Sequence, residues 1–181
     1  MKLVDLFGLH VEATSGTPLV LLREHDSPHR VIPIMIGNNE AAAIALGLGG
    51  DPPPRPLTHD LMAALVESLD GHLDAVEVTE VRDGAFIARL DVTGPTGDQH
   101  LDTRPSDAIA LAVRLGAPLY VSEDVLDTAG AVLRDSEEEE AIDEVVEQFR
   151  GFLDDLTPSD FESVASGEDP GGDPNDDDRD Q

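Results

Sequence analysis

Thr103-Arg104-Pro105-Ser106-Asp107 sets a guanidinium, a hydroxyl and a carboxylate directly ahead of an apolar run. Pro105 suits the first position of a helix. Free backbone N–H groups at such a helix start, the Ser106 hydroxyl and the Arg104 fork are the donors that phosphate binding requires. Asp102 and Asp107 add carboxylates for a divalent cation, magnesium or manganese, beside that phosphate, as metal-assisted phosphodiester cleavage needs. Thr58-His59-Asp60 opens a second apolar segment in the same style. There His59 is a candidate general acid or base, Asp60 a candidate metal ligand and Thr58 a further hydroxyl for phosphate. Glu40, at a third helix start, is a fourth candidate metal ligand. Each set also has a plain structural reading. Ser106 and Thr58 can serve as caps, Arg104 can pair with Asp107 across one turn, and the carboxylates can answer the helix dipole.

Other chemistries are absent from the pattern. With no cysteine, the chain has no thiol nucleophile, disulfide or zinc–thiolate site. It has no glycine-rich phosphate loop and no nucleophile elbow. His25 and His29 flank a polar loop without supporting ligands and read as solvated surface.

The elements that must position these residues follow from apolar periodicity. Three strands are expected in residues 1–36, the first from Leu3 to Ala13, with Pro33 marking an edge or a bulge. Gly37-Asn38-Asn39 starts a helix through Ala41–Leu48 that is apolar all round and should be buried. Thr58 is expected to cap a second helix, with Leu61, Leu65 and Leu69 at four-residue spacing, ending at Gly71. Asp83-Gly84 is a hairpin signal between alternating strands. His100-Leu101-Asp102 is a short strand, Pro105–Leu115 a third apolar helix and Leu119-Tyr120-Val121 another strand. Ser122 caps a short helix.

The tetrapeptide Ala-Ile-Ala-Leu occurs at residues 43–46 and again at 108–111, each just inside an apolar helix. The predicted class is therefore α+β, an internally duplicated β-β-β-α-α motif with a mixed sheet packed against apolar helices.

Eleven Lys and Arg against 39 Asp and Glu give a net charge of −28. From Asp135 onward 19 acids and two bases account for −17, leaving −11 for residues 1–134. Acid excess with a single lysine reads as halophilic adaptation, since molar salt screens the self-repulsion. It leaves no basic face to hold nucleic acid by counterion release. Residues 135–166 carry Ile142, Val145, Val146, Phe149, Leu153 and Leu156 as a helical stripe behind an acid run, suited to docking on the domain or on a partner subunit of a homodimer. Residues 167–181 have almost nothing to bury and read as a disordered acidic tail. No apolar run is long enough to span a bilayer and no signal peptide is evident, so a cytoplasmic protein is expected.

Pro33-Ile34-x-Ile36-Gly37 through Glu40-Ala41, then Arg55-Pro56-x-Thr58-His59-Asp60-Leu61, then Asp102-x-Arg104-Pro105-Ser106-Asp107-Ala108-Ile109-Ala110-Leu111 closely resemble the bifunctional nuclease domain family. The match runs in order over about residues 1–134, and its last motif is long and specific. The resemblance implies an α+β fold with a repeated motif and nuclease activity on RNA and DNA. It marks Glu40, Thr58, His59, Asp60, Arg104, Ser106 and Asp107 as motif positions without assigning their catalytic roles. Many bacterial members add a C-terminal UVR-type helical module, where this chain has its acidic extension. The expected function is thus a nuclease with nucleic acid as substrate. The alternative is a non-enzymatic regulatory or scaffold module whose polar helix starts serve structure or subunit contacts.

Overall fold

The structure, a computed structural model, describes residues 1–12, 15–49 and 53–132. The expected acidic helix 135–166 and tail 167–181 lie outside the described residues. Strands β1 (Lys2–Val11), β2 (Pro18–Glu24) and β3 (Arg30–Met35) precede helices α1 (Asn38–Leu48) and α2 (Thr58–Ser68). Strands β4 (His72–Arg82), β5 (Ala85–Gly94) and β6 (Gly97–Thr103) lead to α3 (Pro105–Leu115), β7 (Leu119–Val121), α4 (Glu123–Ala129) and β8 (Ala131–Val132).

All eight strands join one mixed sheet in the order β6-β5-β4-β7-β1-β2-β3-β8. Two antiparallel meanders, β1-β2-β3 and β4-β5-β6, flank β7, which is parallel to β4 and antiparallel to β1. The α+β class is as the sequence indicates. A common origin of the two halves remains a proposal, prompted by this shared order of meander and helix.

Local signals explain most element boundaries. Asp83 and Gly84 have φ of 51° and 79°, the left-handed pair that a two-residue type I′ hairpin requires. Pro33 pairs with Leu21 on one side, while β8 reaches only Arg30 and Val31 on the other. The missing N–H of Pro33 thus falls on the open part of an edge. Ser122 Oγ accepts the Val125 N–H at 3.2 Å and caps α4 as expected.

In β2, Pro18, Val20, Leu22 and Glu24 are buried and alternate with half-buried residues, so the two faces of the sheet differ. One face joins Ala41 and Ile44 of α1 and most of α3 in a single core. Burying such side chains stabilises by about 25 cal/mol per Å² of apolar surface. The buried Glu24 is matched by Arg30, whose Nε and Nη2 donate to it at 2.9 and 3.0 Å. The same guanidinium reaches Glu123 and Asp127, pinning α4 to the sheet.

Two expectations need correction. Of α1 only Ala41 and Ile44 are buried, and Leu46 and Leu48 are exposed, because α3 covers one side of it alone. Thr58 does not cap α2. Leu57 holds that position, and its N–H is taken instead by the Asp60 carboxylate at 2.8 Å.

Candidate functional site

Packing of α1 against α3 brings together two helix starts that arrive from distant strands of the sheet. At Gly47 an added Cβ would lie 2.5 Å from Val113 Cγ2 and 2.7 Å from Arg114 Nη1, so any side chain there would have to push those groups aside. Gly37, the N-cap of α1, likewise leaves room for the Glu40 carboxylate to fold back over it.

Arg104 is the N-cap residue of α3. Its Nε and Nη2 donate to Asp107 Oδ2 and Oδ1 at 2.7 and 3.1 Å, a forked pair, and its Nη1 donates to Glu40 Oε1 at 2.9 Å. His59 Nε2 stands 3.3 Å from Asp107 Oδ1. Three helix starts therefore contribute to one connected run, Glu40–Arg104–Asp107–His59. Arg104 is 65 % exposed at its solvent end, whereas His59 is largely covered at the other.

Burial by itself would raise the Asp107 pKa. Hydrogen bonds from Arg104 and His59 outweigh it and hold the carboxyl below its ordinary value. Arg104 is in turn held above its ordinary value by Asp107 first and Glu40 second. The crowding of carboxylates is thus offset by the guanidinium between them.

A cleft of roughly 540 Å³ opens beside this run. Glu40, Arg104 and Ser106 form its polar side, while Ile34, Met35, Ile36 and Phe86 contribute apolar surface. Pro105 has no N–H to offer, and the first helical bond of α3 is Ala108 N–H to Arg104 O at 3.1 Å. The Ser106 and Asp107 amides precede that bond and are orphan donors of the helix start. Ser106, the candidate phosphate-binding hydroxyl, is the second residue of α3 and lies buried in the cleft wall rather than at the cap position.

Other candidates are placed elsewhere. Asp60 accepts Arg114 Nε at 2.6 Å as well as the Leu57 N–H. Arg114, first, and Leu57, second, hold its pKa below the usual range. Arg114 is 8 % exposed and also donates to the carbonyls of Ala43 and Ala110, tying all three helices together. Asp60 is therefore a fastener in this geometry. Asp102 sits opposite Arg89 on β6, and its neighbour Leu101 lines the apolar groove under α2. Strand alternation then turns Asp102 to the face opposite that groove, and it is not among the residues lining the cleft. Thr58 is exposed and outside the cleft lining.

Among the described residues no three His, Asp or Glu side chains gather as a metal site. The donor set does not fit a resident divalent ion, because the cation between Glu40 and Asp107 is already the Arg104 guanidinium.

Two contributors went unnoticed in the sequence. Arg114 is a lone base in the otherwise apolar Ala108–Leu115 stretch, a signal that a buried counter-charge awaits it. Phe86 follows a hairpin turn, and nothing local places it near Glu40.

Comparison with known proteins agrees with the motifs. The family model described as the bifunctional nuclease domain matches residues 20–134. The uncharacterized protein Rv1829 of Mycobacterium tuberculosis is 42 % identical over 167 residues, covering 89 % of this chain and 98 % of the relative. Bifunctional nuclease 1 of Oryza sativa subsp. indica is 24 % identical over 130 residues, or 64 % of this chain and 39 % of the plant protein. Bifunctional nuclease 2 of Oryza sativa subsp. japonica is 24 % identical over 118 residues, or 63 % and 36 %. Among the described residues no helix is long and apolar enough to cross a membrane. By motif, fold and family match, the chain belongs to the bifunctional nuclease domain family.

Proposed function

We propose that this chain is a nuclease that hydrolyses phosphodiester bonds of RNA or DNA in the cleft between α1, α3 and the β4–β5 hairpin. The observation that carries this reading is the sharing of one exposed guanidinium, Arg104, between two carboxylates at the mouth of that cleft. A phosphate can exchange with Glu40 for Arg104 Nη1 while the fork to Asp107 keeps the side chain aimed. The free amides at the α3 start and Ser106 add donors for the same oxygens. Glu40, released from Arg104, then stands in the cleft as the acceptor for the proton of an attacking water. Water oxygen bonds to phosphorus as the P–O bond to the departing nucleoside breaks, and the leaving oxygen takes a proton from solvent. Asp107 and His59 act behind Arg104 as positioning residues. The apolar wall at Met35 and Phe86 suits an unpaired base lying beside the held phosphate.

Metal assistance has the weaker support. Magnesium can bind through one or two carboxylates together with substrate phosphates, but here it would have to displace Arg104, so no step is routed through it. Chelation should leave the melting temperature of the free protein unchanged.

The scaffold alternative draws on Asp60, both of whose oxygens are engaged within the molecule. A cleavage assay decides between the two readings. The full chain, in molar KCl with and without magnesium or manganese, should cut single-stranded RNA or DNA oligonucleotides, and Glu40→Gln should lose that activity while keeping its fold. A wild-type chain that cuts neither under any of these conditions, or a Glu40→Gln variant as active as wild type, would overturn the nuclease reading.

A further inference from the structure

We infer that the open edge of β3 reads the Watson–Crick edge of a base whose neighbouring phosphate is held by Arg104, so that the cleft accepts a base only when it has no pairing partner. This selection rests on the nuclease reading and specifies the form of nucleic acid on which that site acts.

Antiparallel neighbours alternate between residues that exchange backbone hydrogen bonds and residues that do not. Ile36 N–H donates to Pro18 O at 2.9 Å, and the register sets Val20 opposite Ile34 and Leu22 opposite Ile32. Ile32, Ile34 and Ile36 therefore turn their backbone groups toward β2. Val31, Pro33 and Met35 turn theirs outward. β8 meets Val31 through Ala131 and then runs toward Arg30, away from Pro33. Among the described residues no strand covers Pro33 or Met35 on this side. Pro33 C=O and the N–H and C=O of Met35 are left on the open edge.

That edge belongs to the cleft. Residues 33–37 line it in an unbroken run, together with Phe86 of the hairpin and with Arg104 and Ser106. Pro33 C=O and Met35 N–H offer an acceptor beside a donor. Each unpaired base carries the matching pair: N6–H with N1 in adenine, N4–H with N3 in cytosine, N1–H with O6 in guanine, N3–H with O4 in thymine. Such edges are read in single strands, whereas pairing consumes them in a duplex. Phe86 adds a ring on which the same base can stack. The cleft volume of roughly 540 Å³ is within the range of small-ligand pockets.

An extended peptide fits this edge less well. Pro33 has no N–H, β8 closes the edge at Val31, and α1 begins at Asn38. Too few groups remain for the ladder that an added strand needs. The exposed Arg104 guanidinium in the same cleft calls for an anion next to the occupant, which a nucleotide supplies.

The test reads binding apart from cleavage. The full chain carrying Glu40→Gln, which the nuclease reading leaves able to bind and unable to cut, is titrated with oligothymidylate. A second titration uses the same oligomer built from N3-methylthymidine, whose methyl group removes the base's donor. The natural oligomer should bind on the order of 10-fold more tightly, and should move the Met35 amide resonance along with those of Ser106 and Asp107. Met35→Pro, added to that chain, puts a ring carbon where the N–H was and pushes the base off the edge, so it should erase the preference. Pro33 already occupies this side of the strand without breaking the ladder, so circular dichroism should be unchanged. Met35→Leu keeps the amide and should keep the preference. If Met35→Pro fails to fold, the methylated oligomer and the Met35 resonance decide alone. Equal affinity for the two oligomers, with the Ser106 and Asp107 resonances still moving, overturns the inference and leaves the nuclease reading standing, since phosphate is then held and the base is not read. A preference that survives in folded Met35→Pro overturns it as well. So does a Met35 resonance moved by an extended peptide and by neither oligomer. Binding of neither oligomer also overturns it, and takes the nuclease reading with it if the wild-type chain cuts nothing.

Discussion

The starts of α2 and α3 are built from nearly the same parts, yet they do opposite things. Each carries an aspartate at the third helical position, Asp60 or Asp107, and each aspartate meets an arginine. At α2 the arginine comes from the far end of α3, is 8 % exposed, and donates its Nη1 to two backbone carbonyls. At α3 the arginine is the N-cap residue itself, is 65 % exposed, and divides its donors between Asp107 and Glu40 at a cleft. The first pair is closed: Arg114 Nε and Nη1 and both Asp60 oxygens are engaged inside the protein. The second is open, and a phosphate can enter it by exchange. Identical side-chain chemistry becomes a fastener or a binding site according to where the guanidinium's other donors go.

The sharpest test of this contrast removes each arginine in turn. Arg104→Ala should reduce cleavage by on the order of 10²-fold or more, as losing a donor to transition-state charge does. Its melting temperature should stay close to wild type, because the side chain is mostly in water. Arg114→Ala should do the reverse to stability. It strands Asp60 and the Ala43 and Ala110 carbonyls, and should cost about 2–4 kcal/mol in denaturant unfolding, somewhat below a fully buried pair because Asp60 is 31 % exposed. If Arg104→Ala unfolds the protein while Arg114→Ala leaves it intact, the assignment of open and closed pairs is inverted.

A smaller effect is expected at the helix contact that makes the closed pair. Gly47→Ala places a methyl against Val113 and Arg114, and should cost about 1–3 kcal/mol by pushing α1 from α3. Thermal unfolding measures it.

Acid titration separates the two aspartates more gently. Both are held below the ordinary carboxylate pKa. Each therefore contributes stability that is complete above the unfolded value of about 3.9 and is lost as pH falls through the lower folded value. For Asp60 the leading cause is the Arg114 hydrogen bond, which favours the charged form. For Asp107 the leading cause is burial, which opposes it and is outweighed. Asp60→Asn should accordingly flatten the fall in melting temperature between about pH 5 and pH 2 more than Asp107→Asn does. Equal curves for the two variants would remove this distinction.

Much of this was written locally. Asp83-Gly84 specified its hairpin, Pro105 and Gly116 bounded α3, and Ser122 capped α4, because turn and cap geometry depend on residues a few positions apart. The motif around Arg104 and its link to Asp107 were legible for the same reason: the two are one helical turn apart. Other features depended on chain segments far apart in sequence. Arg114 reaches Asp60 across 54 positions, and Arg104 reaches Glu40 across 64. Neither pairing has a local signature. Asp102 was drawn toward the site by its nearness in sequence, yet it pairs with Arg89 on β5 and does not line the cleft. Thr58 looked like a cap by type, but the Asp60 carboxylate reached the Leu57 amide instead. The sequence by itself determined the class of elements, their limits and the kinds of groups at each helix start. Only the tertiary structure decided which carboxylate meets a buried arginine and which an exposed one, because that depends on how closely α1, α2 and α3 pack.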